Sequence, residues 1–385
     1  MTDSLLELVT EVHAAPSMLV YEFAGAGVQA LAWLHAVGGS SRTVLEATDR
    51  YAPRSLAEAL EGPPTKAVSV DVARGLARHA FVRAARLADA GVSVVGIGCT
   101  ATIATDRRKR GEHGAAIVAA SVLGTLERSL VLRKGDRDRD AEEVLVSRLV
   151  LQTIASASGV LRRVRTPLLE GEEIEERFES APLLASFERG ERQQIALDAD
   201  GSLCADLPWP VGGGALVSGA FNPLHEGHLG LAAAAHRHLG RPVAFELALA
   251  NAEKPTIDVA ESYPRAMQFP GRAPLLVTRA PLFSEKAALA PGSVFVIGAD
   301  TAARVLSERF YRDALSLDAA LDAVREHGSS FLVAGRRSGE RFVTLADIAI
   351  PARHVDLFEA LPEEAFRADV SSSGIREGWG TGAAA

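Results

Sequence analysis

The sequence predicts an α/β protein of two domains, the second a Rossmann-like doubly wound parallel sheet. Three observations predict it. The chain has 385 residues, 48% of them hydrophobic and 23% charged, which is more than one compact core ordinarily holds. Over residues 1–165, Ala/Leu-rich helical stretches alternate with short Val/Ile runs. From residue 213 onward, five β-rich segments follow one another with helical intervals between them, the alternation that packs a parallel sheet between layers of helix.

In the first domain, expected over residues 1–165, VDVARGLARHAFVRAARLADAG reads as a helix with Val72, Leu76, Phe81, Ala84 and Leu87 near one face and Gly91 as its stop. VSVVGIG (92–98) is then a β-branched run bounded by glycine, the pattern of a buried parallel strand. Residues 130–159 read as a strand, a charged turn and a helix with Val144, Leu145, Leu149 and Ile154 inward. The texture changes over 166–212. GEEIEERFE is acidic, QIALDADGSLCA carries a hairpin signal around residues 198–201, and LPWPVGGG reads as a Pro/Gly linker. The second domain is expected over 213–379, with strands in GALVSG, PVAFELALAN, PLLVTR, SVFVIGAD and SFLVAGR, and residues 380–385 as a flexible tail.

Composition narrows the function. With 41 basic against 49 acidic residues and a net charge of -8, the chain has no global basic field for a polyanion, which disfavours a nucleic-acid partner. Acidic residues Asp3, Glu7 and Glu11 precede any basic one, unlike a secretory leader. No uncharged stretch reads as a membrane span. Cys99 and Cys204 give neither a disulfide framework nor a metal-ligand spacing. A cytoplasmic protein without a membrane partner is the expectation.

The segment that carries chemistry is ALVSGAFNPLHEGHLGLAAAAHRHLG, residues 215–240. Its first residues form a buried strand, 219–223 a tight turn, and Glu226 onward an Ala/Leu helix, so the turn lies at the carboxyl end of the first strand, where open α/β sheets bind ligands. His225 and His228, three apart, share a face at the helix start. Free N–H groups and the helix dipole there attract phosphate, and two imidazoles beside them can donate hydrogen bonds to a phosphoryl group in flight. A pair of surface histidines capping the helix is the bland alternative, and two of them three apart behind Phe-Asn-Pro favour the functional reading.

The string Ser218-Gly219-Ala220-Phe221-Asn222-Pro223-Leu224-His225-Glu226-Gly227-His228 resembles the HxGH signature of the nucleotidyltransferase superfamily, and its flanks look most like nicotinate and nicotinamide mononucleotide adenylyltransferases. Three further strings are similar to that family's motifs, in its order: Val296 to Asp300, Leu332 to Arg337, and Val370-Ser371-Ser372-Ser373-Gly374-Ile375-Arg376. The resemblance implies a Mg2+-dependent transfer of AMP from ATP to a pyridine mononucleotide, releasing pyrophosphate. His225, His228 and Arg376 would be catalytic. Ser218, Gly219, Ala220, Phe221, Asn222, Gly227, Gly298, Asp300, Ser371, Ser372 and Ser373 would bind nucleotide, and Lys254 and Arg336 would face substrate. No metal ligand is implied among protein side chains. Ala220 departs from the pattern, since many relatives carry Thr or Ser there. The alternatives are a CTP-dependent or other acceptor chemistry in the same superfamily, and a nucleotide-binding protein with little catalysis.

In the first domain, residues 95–120 resemble the glycine-rich strand-loop-strand of the CinA C-terminal family, which includes nicotinamide-nucleotide amidases. That family's Glu-Ser-x-Thr-Gly-Gly turn corresponds to Tyr21-Glu22-Phe23-Ala24-Gly25-Ala26-Gly27, which puts Phe23 at the nucleophile position. The resemblance thus implies a CinA-C-like α/β domain without amidase activity, serving as a scaffold or homo-oligomer contact, with residual nucleotide binding at its glycines as a further reading. RRKRG (107–111) reads as a charged loop first and a phosphate site second.

Overall fold

A computed structural model describes residues 2–89, 91–105, 111–207, 213–249, 259–311, 316–338, 341–367, 372 and 374–376. Its first sheet consists of β1 (Met18–Ala24), β2 (Val44–Asp49), β3 (Val94–Thr102), β4 (His113–Ser121), β5 (Gly124–Leu132) and β6 (Ile174–Ser180), in the order β2-β1-β3-β4-β5-β6. β2, β1 and β3 are parallel, and β4 to β6 add on antiparallel. The strand expected at 92–98 is therefore parallel on one side only. Its glycines serve packing. A Cβ on Gly96 or Gly98 would stand 2.2 or 2.1 Å from backbone oxygens of the helix above, so the spacing admits that helix rather than a phosphate.

Among the described residues, five helices flank this sheet: α1 (Asp3–Ala14), α2 (Val28–Ala36), α3 (Pro53–Ala59), α4 (Val70–Leu87) and α5 (Arg139–Ala157). α4 starts on the side-chain cap of Ser69 and packs Ala73 and Ala77 against Ala116 and Val118 on one face. Val72, Leu76 and Ala84 are buried as the spacing predicts, but Leu87 is 39% exposed because the last turn carries it into solvent. α1, α2 and α5 cover the other face. α5, capped by Asp138, buries Leu145, Leu149 and Ile154, and from Leu149 to Ala157 every residue is buried. Such all-round burial marks a helix with neighbours on both sides.

The second sheet holds β7 (Gln194–Leu197), β8 (Leu203–Cys204), β9 (Ala215–Ser218), β10 (Val243–Ala248), β11 (Leu275–Thr278), β12 (Val294–Gly298), β13 (Ser330–Ala334) and, beyond the short hairpin of β14 (Arg336–Ser338) and β15 (Arg341–Val343), β16 (Phe358–Leu361). The order is β16-β13-β12-β9-β10-β11-β7-β8. Six of these strands are parallel, and numbered among themselves they run 3-2-1-4-5-6, the doubly wound arrangement. All five expected strands are present, while β16 completes the parallel set unannounced by any long apolar run. Helices α6 (Pro182–Glu188), α7 (Glu226–Leu239), α8 (Val259–Ala266), α9 (Phe283–Leu289), α10 (Ala299–Val305) and α11 (Leu317–Glu326) complete the domain. α9 to α11 pack one face of the sheet; α7 and α8 lie on the other, toward the first domain.

The stretch 166–212 knits the two sheets. β6 extends the first sheet beside β5, while β7 and β8 form the hairpin around Asp198 to Gly201 and extend the second antiparallel to β11. Residues 208–212 lie outside the described residues. The domains share one hydrophobic cluster, which contains Leu8, Leu149 and Ile154 of the first and Phe245, Met267 and Phe269 of the second. Among the described residues, no helix is long and apolar enough to cross a membrane.

Candidate functional site

In the 3-2-1-4-5-6 order, the chain reverses direction across the sheet between β9 and β12, which leaves a crevice at the carboxyl end of β9. The sequence puts its densest chemistry there. Gly219 leaves β9 by donating its N–H to the Glu246 carbonyl of β10 at 3.1 Å. Phe221 takes a φ of +44° and precedes a cis Asn222–Pro223 bond. Its ring is 1% exposed and packs edge-on against Phe245, Phe269 and His228 at 5.1–5.4 Å. The ring of Phe221, a residue expected among the nucleotide contacts, is the apolar floor on which the turn rests.

His225 caps α7 and His228 sits in its first turn, with Gly227 between them. The His225 N–H donates to His228 Nδ1 at 3.3 Å, and the rings stack with centroids 3.8 Å apart. Burial pushes the His228 imidazole down to about 3, with His225 and then Arg336 adding to the effect. His225 is lowered as well, by burial and then by Arg336. Both are therefore neutral near pH 7, and because His228 Nδ1 accepts a hydrogen bond, its proton resides on Nε2. A neutral imidazole is still a donor to an anion. Ser218 Oγ and His225 Nδ1 are buried and meet no hydrogen-bond partner among the described residues. Polar atoms left so can take up a water or a ligand group.

Cationic and hydroxyl groups converge on the same edge. At the end of β12, Gly298 is the N-cap of α10, and Asp300 sits inside the first turn. There Asp300 binds Arg304 at 3.2 Å and Arg336 at 3.4 Å. A Cβ on Gly298 would lie 2.7 Å from Asp300 Oδ1, so glycine is what lets that carboxylate fold back. From the carboxyl-terminal motif, Ser372 Oγ donates to the Pro223 carbonyl at 2.9 Å and Arg376 donates to the Asn222 carbonyl. His225, His228, Ser218, Gly219, Ala220, Asn222, Gly227, Gly298, Asp300, Arg336, Ser372 and Arg376 thus gather at one sheet edge. Lys254, Ser371 and Ser373 lie outside the described residues.

No motif pointed to the segment that holds this turn from behind. Gln268, 5% exposed, accepts from the Leu224 N–H at 2.8 Å and donates to the Phe221 carbonyl at 2.9 Å, while Arg265 donates to the Ala220 carbonyl at 3.5 Å. The one available signal was a glutamine in the otherwise apolar run Ala266 to Pro270.

The first domain has a turn in the equivalent place, at the carboxyl end of β1 where strand order reverses between β1 and β3. Gly25 and Gly27 both adopt positive φ, and the amides of Gly27 and Gln29 point to where an anion would bind. The Glu143 carboxylate from α5 occupies that position, accepting from Gly27 N–H at 3.0 and 3.1 Å and from Gln29 N–H at 3.0 Å. Phe23 is buried and stacks on Tyr21. Cys99, fully buried and pushed up to about 12 by that burial, stays a thiol.

A family model described as cytidylyltransferase-like matches residues 216–378. No curated protein matches the chain. Among solved structures, the competence/damage inducible protein CihA from Agrobacterium tumefaciens is 18% identical with a TM-score of 0.33, covering 40% of this chain and 96% of that one. The CinA superfamily protein from Enterobacter cloacae is 13% identical at a TM-score of 0.32, covering 41% and 92%, and that from Escherichia coli 15% identical at 0.32, covering 40% and 91%. The part of the chain that holds the paired histidines is thus similar to the cytidylyltransferase-like domains of the HxGH nucleotidyltransferase superfamily.

Proposed function

We propose that the second domain transfers AMP from ATP to a pyridine mononucleotide, nicotinamide or nicotinate mononucleotide, giving a dinucleotide and pyrophosphate. The observation that carries this reading is the stacked, neutral His225/His228 pair at the start of α7, beside the buried Ser218 Oγ, which meets no hydrogen-bond partner among the described residues. A 5'-phosphate oxygen of the acceptor attacks the α-phosphorus of ATP, the bond from that phosphorus to the oxygen bridging the β-phosphate breaks, and pyrophosphate leaves with the electron pair. The imidazoles donate to the α-phosphate oxygens as charge builds there. Ser372 and Arg376 exchange their carbonyl partners for β- and γ-phosphate oxygens, for which a guanidinium fork is well shaped. Mg2+ would arrive with the triphosphate and neutralise its charge.

We further propose that the first domain is a scaffold or self-association module in the cytoplasm, without amidase chemistry. Its support is the buried Phe23, the un-ionised Cys99 and the internal carboxylate of Glu143 in the glycine turn after β1, where a phosphate would otherwise bind.

The test is product analysis on the full chain with ATP and each mononucleotide, reading dinucleotide and pyrophosphate together, with His228→Ala as the control. Absence of turnover with every phosphorylated acceptor tried would remove the proposal. Because the matching family is described by cytidylyl transfer, CTP with a phosphorylated alcohol is the second reading, and equal assays with ATP and CTP separate the two.

A further inference from the structure

The segment from Tyr263 to Phe269 touches the first domain with one side and the histidine turn with the other. Toward the first domain, Tyr263 donates its hydroxyl to Ser121 Oγ at 3.2 Å and packs its ring on Phe178 at 4.6 Å. Gly159, just past α5, approaches the backbone so closely that a Cβ there would stand 2.6 Å from both the Gln268 nitrogen and the Met267 carbonyl carbon. Its φ of +77° also favours glycine. Toward the turn, the Gln268 amide spans Phe221 and Leu224, with a second Nε2 bond to the Arg265 carbonyl at 3.1 Å.

Both ends of the Gln268 side chain are dictated. The Leu224 N–H requires an oxygen and the Phe221 carbonyl requires an N–H, so no carboxylate, thioether or hydrocarbon of the same length satisfies both. The carbonyl so held belongs to the residue at φ +44°, a backbone region that a non-glycine residue occupies only when its surroundings enforce it. The next residue after Leu224 is His225, the cap of α7. Gln268 therefore sets where the helix start and its two imidazoles stand.

We propose that Gln268 is a positioning residue for the His225/His228 pair, and that Gly159 of the first domain fixes Gln268, so that the first domain acts on the transfer site through this contact. The inference rests on the transferase reading only for its kinetic consequence; the geometric coupling stands or falls separately.

The experiment uses the full chain with Gln268→Glu and Gly159→Ala, read by amide hydrogen exchange and by steady-state kinetics. Gln268→Glu keeps an acceptor for Leu224 and sets a carboxylate against the Phe221 carbonyl. Amides in 221–228 are expected to exchange about tenfold faster, with first-sheet amides unchanged. kcat is expected to fall about 10- to 100-fold, with KM for the nucleotide moving much less. Gly159→Ala should reproduce both effects at smaller size, although its substitution lies in the other domain. Should Gln268→Glu fail to fold, Gln268→Met carries the same expectation. Native exchange at 221–228, or faster exchange spread evenly over the second domain, would overturn the coupling. Loss of the exchange effect and absence of turnover are distinct outcomes, the first removing this inference and the second the transferase reading.

Discussion

Each domain builds the same device at the end of its first parallel strand, and the two use it in opposite ways. After β1, the amides of Gly27 and Gln29 converge on the carboxylate of Glu143. After β9, the equivalent crevice is walled by His225 and His228 and leaves Ser218 Oγ and His225 Nδ1 without a partner among the described residues. Strand order alone creates an anion-attracting crevice in both places. Whether the chain supplies its own anion decides which crevice is left for a ligand. The first is satisfied internally and adds to stability; the second keeps unmet hydrogen-bonding capacity.

The sharpest way to break this contrast is to remove a donor from the open crevice. His228→Ala is expected to lower kcat by about 100- to 1000-fold, the usual cost of losing one positioned donor to a transition-state oxygen. Steady-state dinucleotide formation checks it, and a loss confined to KM would show that His228 binds nucleotide equally in ground and transition states.

Next in size is the closed crevice. Glu143→Ala strips the acceptor from two amide donors and from Ser147 Oγ, which it holds at 2.9 Å, and is expected to cost about 2–4 kcal/mol of stability. Denaturant titration measures this. Millimolar sulfate or phosphate should recover part of the loss in the variant and none in the parent, since an anion can then take the vacated place. A variant as stable as the parent, or one indifferent to anions, would mean that Glu143 does not fill an anion site.

The contrast was half legible in the sequence. Around residues 215–228 the strand, the turn, the paired histidines and the helix were adjacent in the chain, so local pattern sufficed, and the distant serines and arginines followed by family order. Glu143 was illegible because it lies 116 residues from Gly27, within a helix that reads simply as amphipathic. Gln268 was illegible for a related reason: its partners are backbone groups, which leave no side-chain complement to notice. The glycines of GIG in β3 were legible only as the bounds of a buried strand; that they make room for the close passage of α4 was not, because the helix backbone they face leaves no pattern of its own. β16 was missed because a four-residue strand, two of whose residues are exposed, carries too short a pattern.

A smaller effect tests the electrostatics of the open crevice. In an unfolded chain the His228 ring takes up a proton near 6.5, whereas in the fold it does so only at about 3. Between those values the unfolded state binds more protons, so this residue's contribution to stability is present above 6.5 and declines as pH falls, at up to about 1.4 kcal/mol per pH unit. His228→Gln should flatten the stability profile between pH 6 and 4. In the parent, the His228 ring proton resonance should stay at its neutral position from pH 8 to pH 5. Titration near 6.5 would place the ring in water and remove the neutral-donor mechanism.

The smallest expected effect concerns Ala220, where many of the sequences this turn resembles carry a hydroxyl. Its side chain is exposed, so serine enters without displacing anything, and its carbonyl is already committed to Arg265. Ala220→Ser therefore adds one hydroxyl at the mouth of the crevice and changes little else. If a phosphate passes there, kcat/KM should rise about two- to fivefold, the worth of one modest hydrogen bond to a charged group, with stability unchanged. A neutral result would imply that Ser218 Oγ, deeper because buried and without a partner among the described residues, already serves the phosphate. A double substitution, Ala220→Ser with Ser218→Ala, distinguishes these routes: the added hydroxyl should then restore what the deeper one lost only if both face the same oxygen.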